Sequence, residues 1–244
     1  MKKVLLLLTL FIVGIWVAWA QNRPFVARWG TNRNGEIHLP VKGTNWKLEV
    51  YKDNDLKKTE TVRYSDESSK IHVVKGLAMG AYYDVKIYPE GVEYIRCGSN
   101  EAKETAKLLL NIKEWGDIQW TTMERAFAGC TALYNASQGE PNLSKVKSCK
   151  EMFKGCVQFK ASLNTWNMES VENLENMFDG CGEYTYHMAS WTLASAKRIS
   201  FGKVAKFNKD AYEQTIIGWA NNPRTASDVV FDAKGMLYSS LEAK

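Results

Sequence analysis

AFAGC at residues 126–130, MFKGC at 152–156 and MFDGC at 177–181 recur at offsets of 26 and 25 residues. Phe127, Phe153 and Phe178 correspond, as do Gly129, Gly155 and Gly180, and Cys130, Cys156 and Cys181. From the chain's own composition, a chance match of all three residue types in register is roughly 5 in 100,000 per added copy. The segment is therefore a true repeat, and a repeat dictates how the rest of the chain is read.

The apolar frame extends upstream in the same register. Met123, Cys149 and Leu174 align; Trp120, Val146 and Val171 align; Trp115, Pro141, Trp166 and Trp191 align, with Leu143, Met168 and Leu193 two positions after the last three. A fourth copy keeps Trp191, Leu193, Ala196 and Ile199. It then carries Gly202, Lys203 and Lys206 where Met, Phe and Cys fall in the others, as a terminal repeat does when it closes a stack. Within one copy, Leu163, Trp166 and Met168 give an apolar-x-x-apolar-x-apolar spacing that predicts a strand. Val171, Leu174, Met177 and Phe178 follow at spacings that predict a short helical segment, ended by Gly180 in a left-handed conformation. One copy cannot bury both stripes alone, whereas stacked copies can.

Stacking turns Cys130, Cys156 and Cys181 into a column. A metal or redox site is one reading and a ladder of small buried hydrophobes the other; one cysteine per copy, with no close pair, favours the ladder. Cys149 fills a slot taken by Met123 and Leu174 in the other copies, which again indicates core. Trp166 and Trp191 fall at inward positions and are read as core residues in preference to a sugar-stacking platform. The chain has 5 cysteines, an odd number, so at least one thiol stays free or pairs between chains.

The flanks read differently. Short alternating segments at 37–41, 46–51, 70–74 and 83–88, separated by Gly, Asn and Asp clusters at 32–35 and 52–55, predict an antiparallel β domain that covers the first repeat. Leu48, Val50, Ile71, Val73, Val85 and Ile87 form its inward parity. At the other end, Asn208 is the expected cap of a helix carrying Tyr212, Ile216, Ile217 and Trp219 on one face, stopping at Asn221, Asn222 and Pro223. A last strand follows at 229–231. The expected organisation is a leader at 1–20, a β-sandwich of PKD or immunoglobulin-like type at 21–110, repeats at 111–205 and a C-terminal cap at 206–244.

Lys2 and Lys3 precede an apolar run over residues 4–19 and a small-residue site around Ala18 and Ala20. That is the pattern of a cleaved secretory signal, implying an exported bacterial protein, secreted or at the cell surface. No cysteine lies near Gln21 to accept a lipid, and no later segment is long and apolar enough to span a bilayer, so no membrane insertion is expected after cleavage. Loss of Lys2 and Lys3 reduces the formal net charge from +5 to +3 over 224 residues, with acids and bases interleaved. Nucleic-acid binding needs a clustered basic face and is not expected.

The runs IKEWGDIQWTTMERAFAGC (112–130), NLSKVKSCKEMFKGC (142–156) and LNTWNMESVENLENMFDGC (163–181) resemble the BspA-like leucine-rich-repeat surface proteins. FNKDAYEQTIIGWA (207–220) and VVFDA (229–233) are similar to that family's closing segment. The resemblance implies a surface-exposed or secreted protein that binds host or matrix proteins or other cells, with no catalytic residues. Members often carry more repeats. The aspartate-glycine turn that follows the tryptophan strand of a PKD-type domain is absent from WKLEVYKD at 46–53.

The fold class expected is thus mixed α/β: an antiparallel β-sandwich, a short leucine-rich-repeat-like solenoid and a helix-strand cap. His38, His72 and His187 lie far apart with no metal-binding spacing, and no nucleophile elbow or phosphate loop is present, so neither an enzyme nor a cofactor or metal is expected. The repeat face is the candidate binding surface. The side chains between its inward positions are Glu140, Asn142, Thr165, Asn167, Ser190 and Thr192, small and polar, suited to a peptide or glycan outside the cell. Four rungs about 4.8 Å apart span only about 15–20 Å, so weak single-site affinity raised by multivalent display is expected. Carbohydrate recognition through exposed tryptophans, Trp191 first, and a structural or assembly role at the cell surface are the alternatives.

Overall fold

The computed structural model describes residues 22–63, 71–137, 139–204 and 207–232; the signal-peptide reading of 1–20 lies outside them. The chain is β-rich, with two helices among the described residues, α1 (Lys103–Ala106) and α2 (Lys209–Asn221). A six-stranded sheet takes the order β10-β9-β1-β7-β4-β5, formed by β1 (Phe25–Gly30), β4 (Trp46–Lys52), β5 (Asp55–Val62), β7 (Tyr82–Ile87), β9 (Leu109–Glu114) and β10 (Asn135–Ala136). β2 (Ile37–Leu39) pairs with β6 (His72–Val74), and β3 (Val41–Gly43) pairs with β8 (Val92–Ile95).

Alternation builds β4 and β7. Trp46, Leu48 and Val50 on one strand and Tyr83, Val85 and Ile87 on the other are buried, with more polar neighbours between them. β4 and β5 are joined by a two-residue turn in which Asp53 and Asn54 adopt φ of 50° and 68°. Positive φ at both central positions is the geometry whose twist matches a hairpin, and Asp and Asn tolerate it better than most residues. β1 lies between β7 and β9 and is buried at every position but Arg28. In β6 the inward parity differs from that read in the sequence. Val74 is buried opposite Ile37, while Ile71 and Val73 are half-buried, because the pairing with β2 sets the register.

Beyond β9 the three copies lie one above the next. The rings of Phe127 and Phe153 are stacked with centroids 5.6 Å apart, and those of Phe153 and Phe178 are 6.0 Å apart, at interplanar angles of 16° and 8°. Alternate backbone N–H groups of one copy donate to the next. Met123, Arg125, Phe127 and Gly129 donate to the carbonyls of Ser148, Lys150, Met152 and Lys154 at 2.7–3.0 Å. Cys149, Glu151, Phe153 and Gly155 repeat the pattern onto Asn173, Glu175, Met177 and Asp179.

This pattern replaces the strand-plus-helix copy read from the sequence. The predicted strand around Leu163–Met168 holds a tight turn and no strand, and the predicted helical segment from Val171 to Phe178 holds a two-residue strand at Asn173–Leu174 followed by turns. Trp166 N–H donates to Leu163, Val171 to Met168, Met152 to Cys149, Cys156 to Phe153 and Phe159 to Cys156, each three residues back. An apolar pair spaced by three therefore brackets one turn, with both ends facing inward. Because every second N–H points along the stack to the neighbouring copy, the i to i−4 ladder of a helix cannot form. Each copy instead needs two left-handed residues: Arg125, Glu151 and Asn176 at φ of 54–55°, and Gly129, Gly155 and Gly180 at 72–78°.

Both ends of the stack are closed. β9 pairs antiparallel with β1 and parallel with β10, so the N-terminal sheet and the first copy share a hydrogen-bonded edge. Phe25 meets Trp115 and Trp120 at 5.9 and 5.7 Å, and Trp115 in turn meets Phe127 and Trp166. At the far end α2 (Lys209–Asn221) starts at Asn208, whose side chain accepts the Ala211 N–H at 2.8 Å. Trp219 of this helix stacks on Trp191 at 6.0 Å and donates its indole N–H to the Met188 carbonyl at 2.7 Å. β13 (Val230–Asp232) adds in parallel to β12 (Arg198–Ser200), which pairs with β11 (Asn173–Leu174). One contiguous apolar core runs through the sheet, the copies and the cap.

Candidate functional site

On the side of the stack that carries the 140–144 and 167–170 segments, a cleft of about 640 Å³ opens between successive copies. Of the six polar residues singled out in the sequence, Glu140, Asn142 and Asn167 line it together. Thr165, Ser190 and Thr192 do not. Ser190 is exposed and tied to Asn164, whose side-chain amide donates to its hydroxyl at 3.0 Å and accepts its backbone N–H at 2.9 Å.

The local chemistry repeats. The Asn142 side-chain oxygen accepts the Ser144 N–H at 3.1 Å, and that of Asn167 accepts the Glu169 N–H at 3.0 Å, so each asparagine fastens its own turn two residues on. Across copies, Glu140 accepts the backbone N–H of Asn167 at 2.9 Å, and Asn142 bridges in parallel to Gln119. One wall is closed by Arg23, whose guanidinium donates to one Asp117 oxygen at 2.8 and 3.1 Å while its N–H donates to the other at 2.7 Å. Burial pushes the Asp117 carboxyl up, but the bonds and charge of Arg23 outweigh it and hold it below the usual carboxylate range. Glu169 is bound by Arg224.

The carboxylates of the cleft are therefore unequal. Asp117 and Glu169 each hold an arginine, whereas Glu140 has no ion pair among the described residues and is exposed. Glu140 can accept a hydrogen bond or a cation from outside while it remains anchored to Asn167. Sequence reasoning missed Arg23, Asp117 and Glu169. The Ser144 and Glu169 positions could have been found as the second residue after Asn in two aligned copies. Arg23 and Asp117 are 94 residues apart and leave no local signal.

The cysteine column is buried throughout, with Cys97, Cys130, Cys149, Cys156 and Cys181 all present as free thiols. Cys97 extends the column by one layer, since its N–H donates to Ala126 in the first copy at 2.9 Å and its thiol lies against that of Cys130. No group of three or more His, Cys, Asp or Glu among the described residues is placed to hold a metal ion. Trp166 and Trp191 are 2% and 0% exposed, and all seven tryptophans among the described residues are buried. Sugar stacking on Trp191 is thereby corrected: its ring is packed under Trp219 and its N–H is spent on the Leu163 carbonyl at 2.7 Å.

A second face carries ion pairs, most of which run from copy to copy while Lys154–Glu151 lies within one. Glu172 lies between Lys147 and Lys197, Glu175 between Lys150 and Arg198, and Glu151 between Arg125 and Lys154. The two lysines hold the Glu172 carboxyl below its ordinary range.

Residues 99–216 match a family described as "Mycoplasma protein of unknown function, DUF285". That stretch contains the three repeat copies, the cleft residues other than Arg23, and the start of α2. No curated protein and no solved structure matches the chain.

Proposed function

We propose that the protein is an exported, adhesin-like binding protein, secreted or held at the cell surface, that captures a host or matrix protein through the repeat face. In this reading the stacked copies form a short leucine-rich-repeat-like solenoid of the BspA-like kind, the N-terminal sheets form a β-sandwich that caps it, and no reaction is catalysed. The cleft is the contact site. The observation that supports it is the position of Glu140, an exposed carboxylate without an ion pair among the described residues, anchored to Asn167 beside the side chains of two successive copies. Such a site suits a peptide segment that presents Lys or Arg: the base pairs with Glu140, and Asn142 and Asn167 lie beside it to bond the peptide backbone.

The cleft is small against the ~800 Å² per partner of a stable interface, so one copy binds weakly and affinity comes from multivalent display. The test is biolayer interferometry of residues 21–244 as a monomer, and as a streptavidin-clustered tetramer, against immobilised matrix proteins. Binding weaker than about micromolar for the monomer, tightened about 100-fold or more by clustering and lost in Glu140→Lys, supports the reading. Binding that ignores Glu140→Lys, or no binding to any matrix protein in either form, overturns it.

A further inference from the structure

Away from the cleft, a pocket of about 400 Å³ lies between the segment 97–107 and the first two copies. Its floor is made of small residues, Gly98, Ala106, Ala128 and Gly129. Gly98 rests so closely on the first copy that a Cβ there would lie 2.7 Å from the Ala128 methyl and 2.9 Å from the Arg125 Cβ. The wall is fastened by the N–H groups of Cys97 and Gly98, which donate to Ala126 and Arg125 at 2.9 and 3.1 Å. Over Gly129, by contrast, an added Cβ would meet nothing within 4 Å, so the floor is open to a ligand.

Four cations line this pocket and no carboxylate does: Lys103, Lys107, Arg125 and Lys154. Three of them have partners outside the lining. Lys107 pairs with Glu104 at 3.1 Å, Arg125 with Glu151 at 3.5 Å, and Lys154 with Glu151 at 2.8 Å and Asp179 at 3.6 Å. These cations are 41–50% exposed, and exposed pairs of this kind are weak and screened by solvent, so an incoming anion can replace or share them. Lys103 is exposed and has no ion pair among the described residues. Asn100 and Thr131 stand at the same rim and supply an amide and a hydroxyl. A purely inorganic anion would use only the cations, and an acidic peptide would offer carboxylates and amides. A ring bearing both oxyanions and hydroxyls uses every group present on a small-residue floor that admits it.

We propose that this pocket binds an acidic saccharide, whose sulfate or carboxylate groups are held by Lys103, Lys107, Arg125 and Lys154 and whose hydroxyls meet Asn100 and Thr131. The site is separate from the Glu140 cleft, and its occupancy does not depend on the cleft's function. Its ligand would fix the chain to a charged glycan surface while the cleft engages protein.

Isothermal titration of residues 21–244 with a sulfated glucosamine–uronic acid disaccharide tests the proposal. The comparison ligands are the same disaccharide without sulfate, inorganic sulfate, and a Glu-rich hexapeptide. The expected result is that the sulfated disaccharide binds at least about tenfold more tightly than each of the other three, and weakens as salt is raised. Lys103→Glu, whose side chain is exposed and unpaired among the described residues, should lose about tenfold or more with an unchanged melting temperature. Glu140→Gln should bind as the parent does. Absence of binding, equal binding of the hexapeptide or of sulfate alone, or indifference to Lys103→Glu would each overturn the assignment.

Discussion

Cys156 donates its thiol hydrogen to the backbone carbonyl of Phe127, 3.0 Å away in the preceding copy, and Cys181 repeats the bond onto Phe153 at 3.0 Å. The cysteine thus joins copies by a polar contact inside an apolar column. The Phe127 carbonyl also accepts the Cys130 N–H at 3.1 Å, so it is not orphaned when the thiol is removed. Cys156→Ala should then cost about 1–2 kcal/mol, from one weak hydrogen bond and a cavity the size of a sulfur atom. Urea denaturation followed by tryptophan fluorescence reads this directly, and a loss above about 4 kcal/mol would mean that the sulfur does more than pack and donate.

The same burial silences the thiols chemically. Burial pushes Cys149 and Cys156 well above the ordinary thiol value, and Cys181 up to about 12. The thiolate is the form that alkylates, so native protein at pH 8 should take up iodoacetamide at none of Cys130, Cys149, Cys156 and Cys181 within minutes. In denaturant all five should be labelled, as counted by intact mass. Rapid labelling of Cys156 in the native state would contradict the closed column.

Phe153 lies at the middle of the ring stack, meeting Phe127, Phe159, Phe178 and Trp166 at 4.3–6.2 Å. Phe153→Ala should therefore destabilise by about 3–5 kcal/mol, the range for a fully buried aromatic. Since one core runs from the N-terminal sheet to the cap, unfolding should stay a single transition detected alike by fluorescence and circular dichroism. Two separate transitions would show that the sheet and the copies stand apart energetically.

What could be read from the chain and what could not divide along physical lines. The alignment of Phe127, Phe153 and Phe178 was legible because each copy must present the same group to the next, and that constraint writes itself into the sequence as a period. Asn208 and Trp219 were legible because capping and amphipathicity are local. The copy's interior was misread because a spacing of three is shared by a helix and by a turn with both ends inward, and only the destination of the N–H groups separates them. Cys97 was missed as the column's first member because it precedes the repeat and shares none of its neighbours. Arg23 and Asp117 meet only through the folding of β1 onto β9, so no window of sequence contains the pair.

Left-handed positions give a further prediction. Gly155 has φ of 72°, and a Cβ there would meet Gly129 no closer than 3.8 Å, so Gly155→Ala adds backbone strain with no clash. The cost should be about 1–2 kcal/mol. Gly30 lies outside the positive-φ set and a Cβ there would come no closer than 3.6 Å to its neighbours, so Gly30→Ala should be near neutral or slightly stabilising. Equal effects of the two variants in thermal unfolding would contradict the turn geometry assigned to Gly155.

Asp84 on β7 gives the N-terminal sheet a dependence on pH. Its carboxylate accepts two hydrogen bonds from the Arg28 guanidinium at 2.9 and 3.0 Å and one from Lys113 at 2.7 Å, joining β7 to β1 and β9 through side chains. Burial pushes the group up, but these bonds and the two charges outweigh it, so the folded value lies below the ordinary one. A carboxyl with a lowered folded value contributes stability above its unfolded pKa of about 3.9 and loses it as the pH falls through the folded value. Asp84→Asn should therefore cost about 1–3 kcal/mol at pH 7, with Arg28 and Lys113 left facing a neutral amide. The difference between parent and variant should shrink steadily below about pH 4, because protonation removes from the parent the same charge that the substitution removes. Urea midpoints measured at pH 7, 5, 4 and 3 trace this convergence. A gap between the two proteins that stays constant down to pH 3 would assign the loss to packing around the amide and not to the charge shared by Arg28, Asp84 and Lys113.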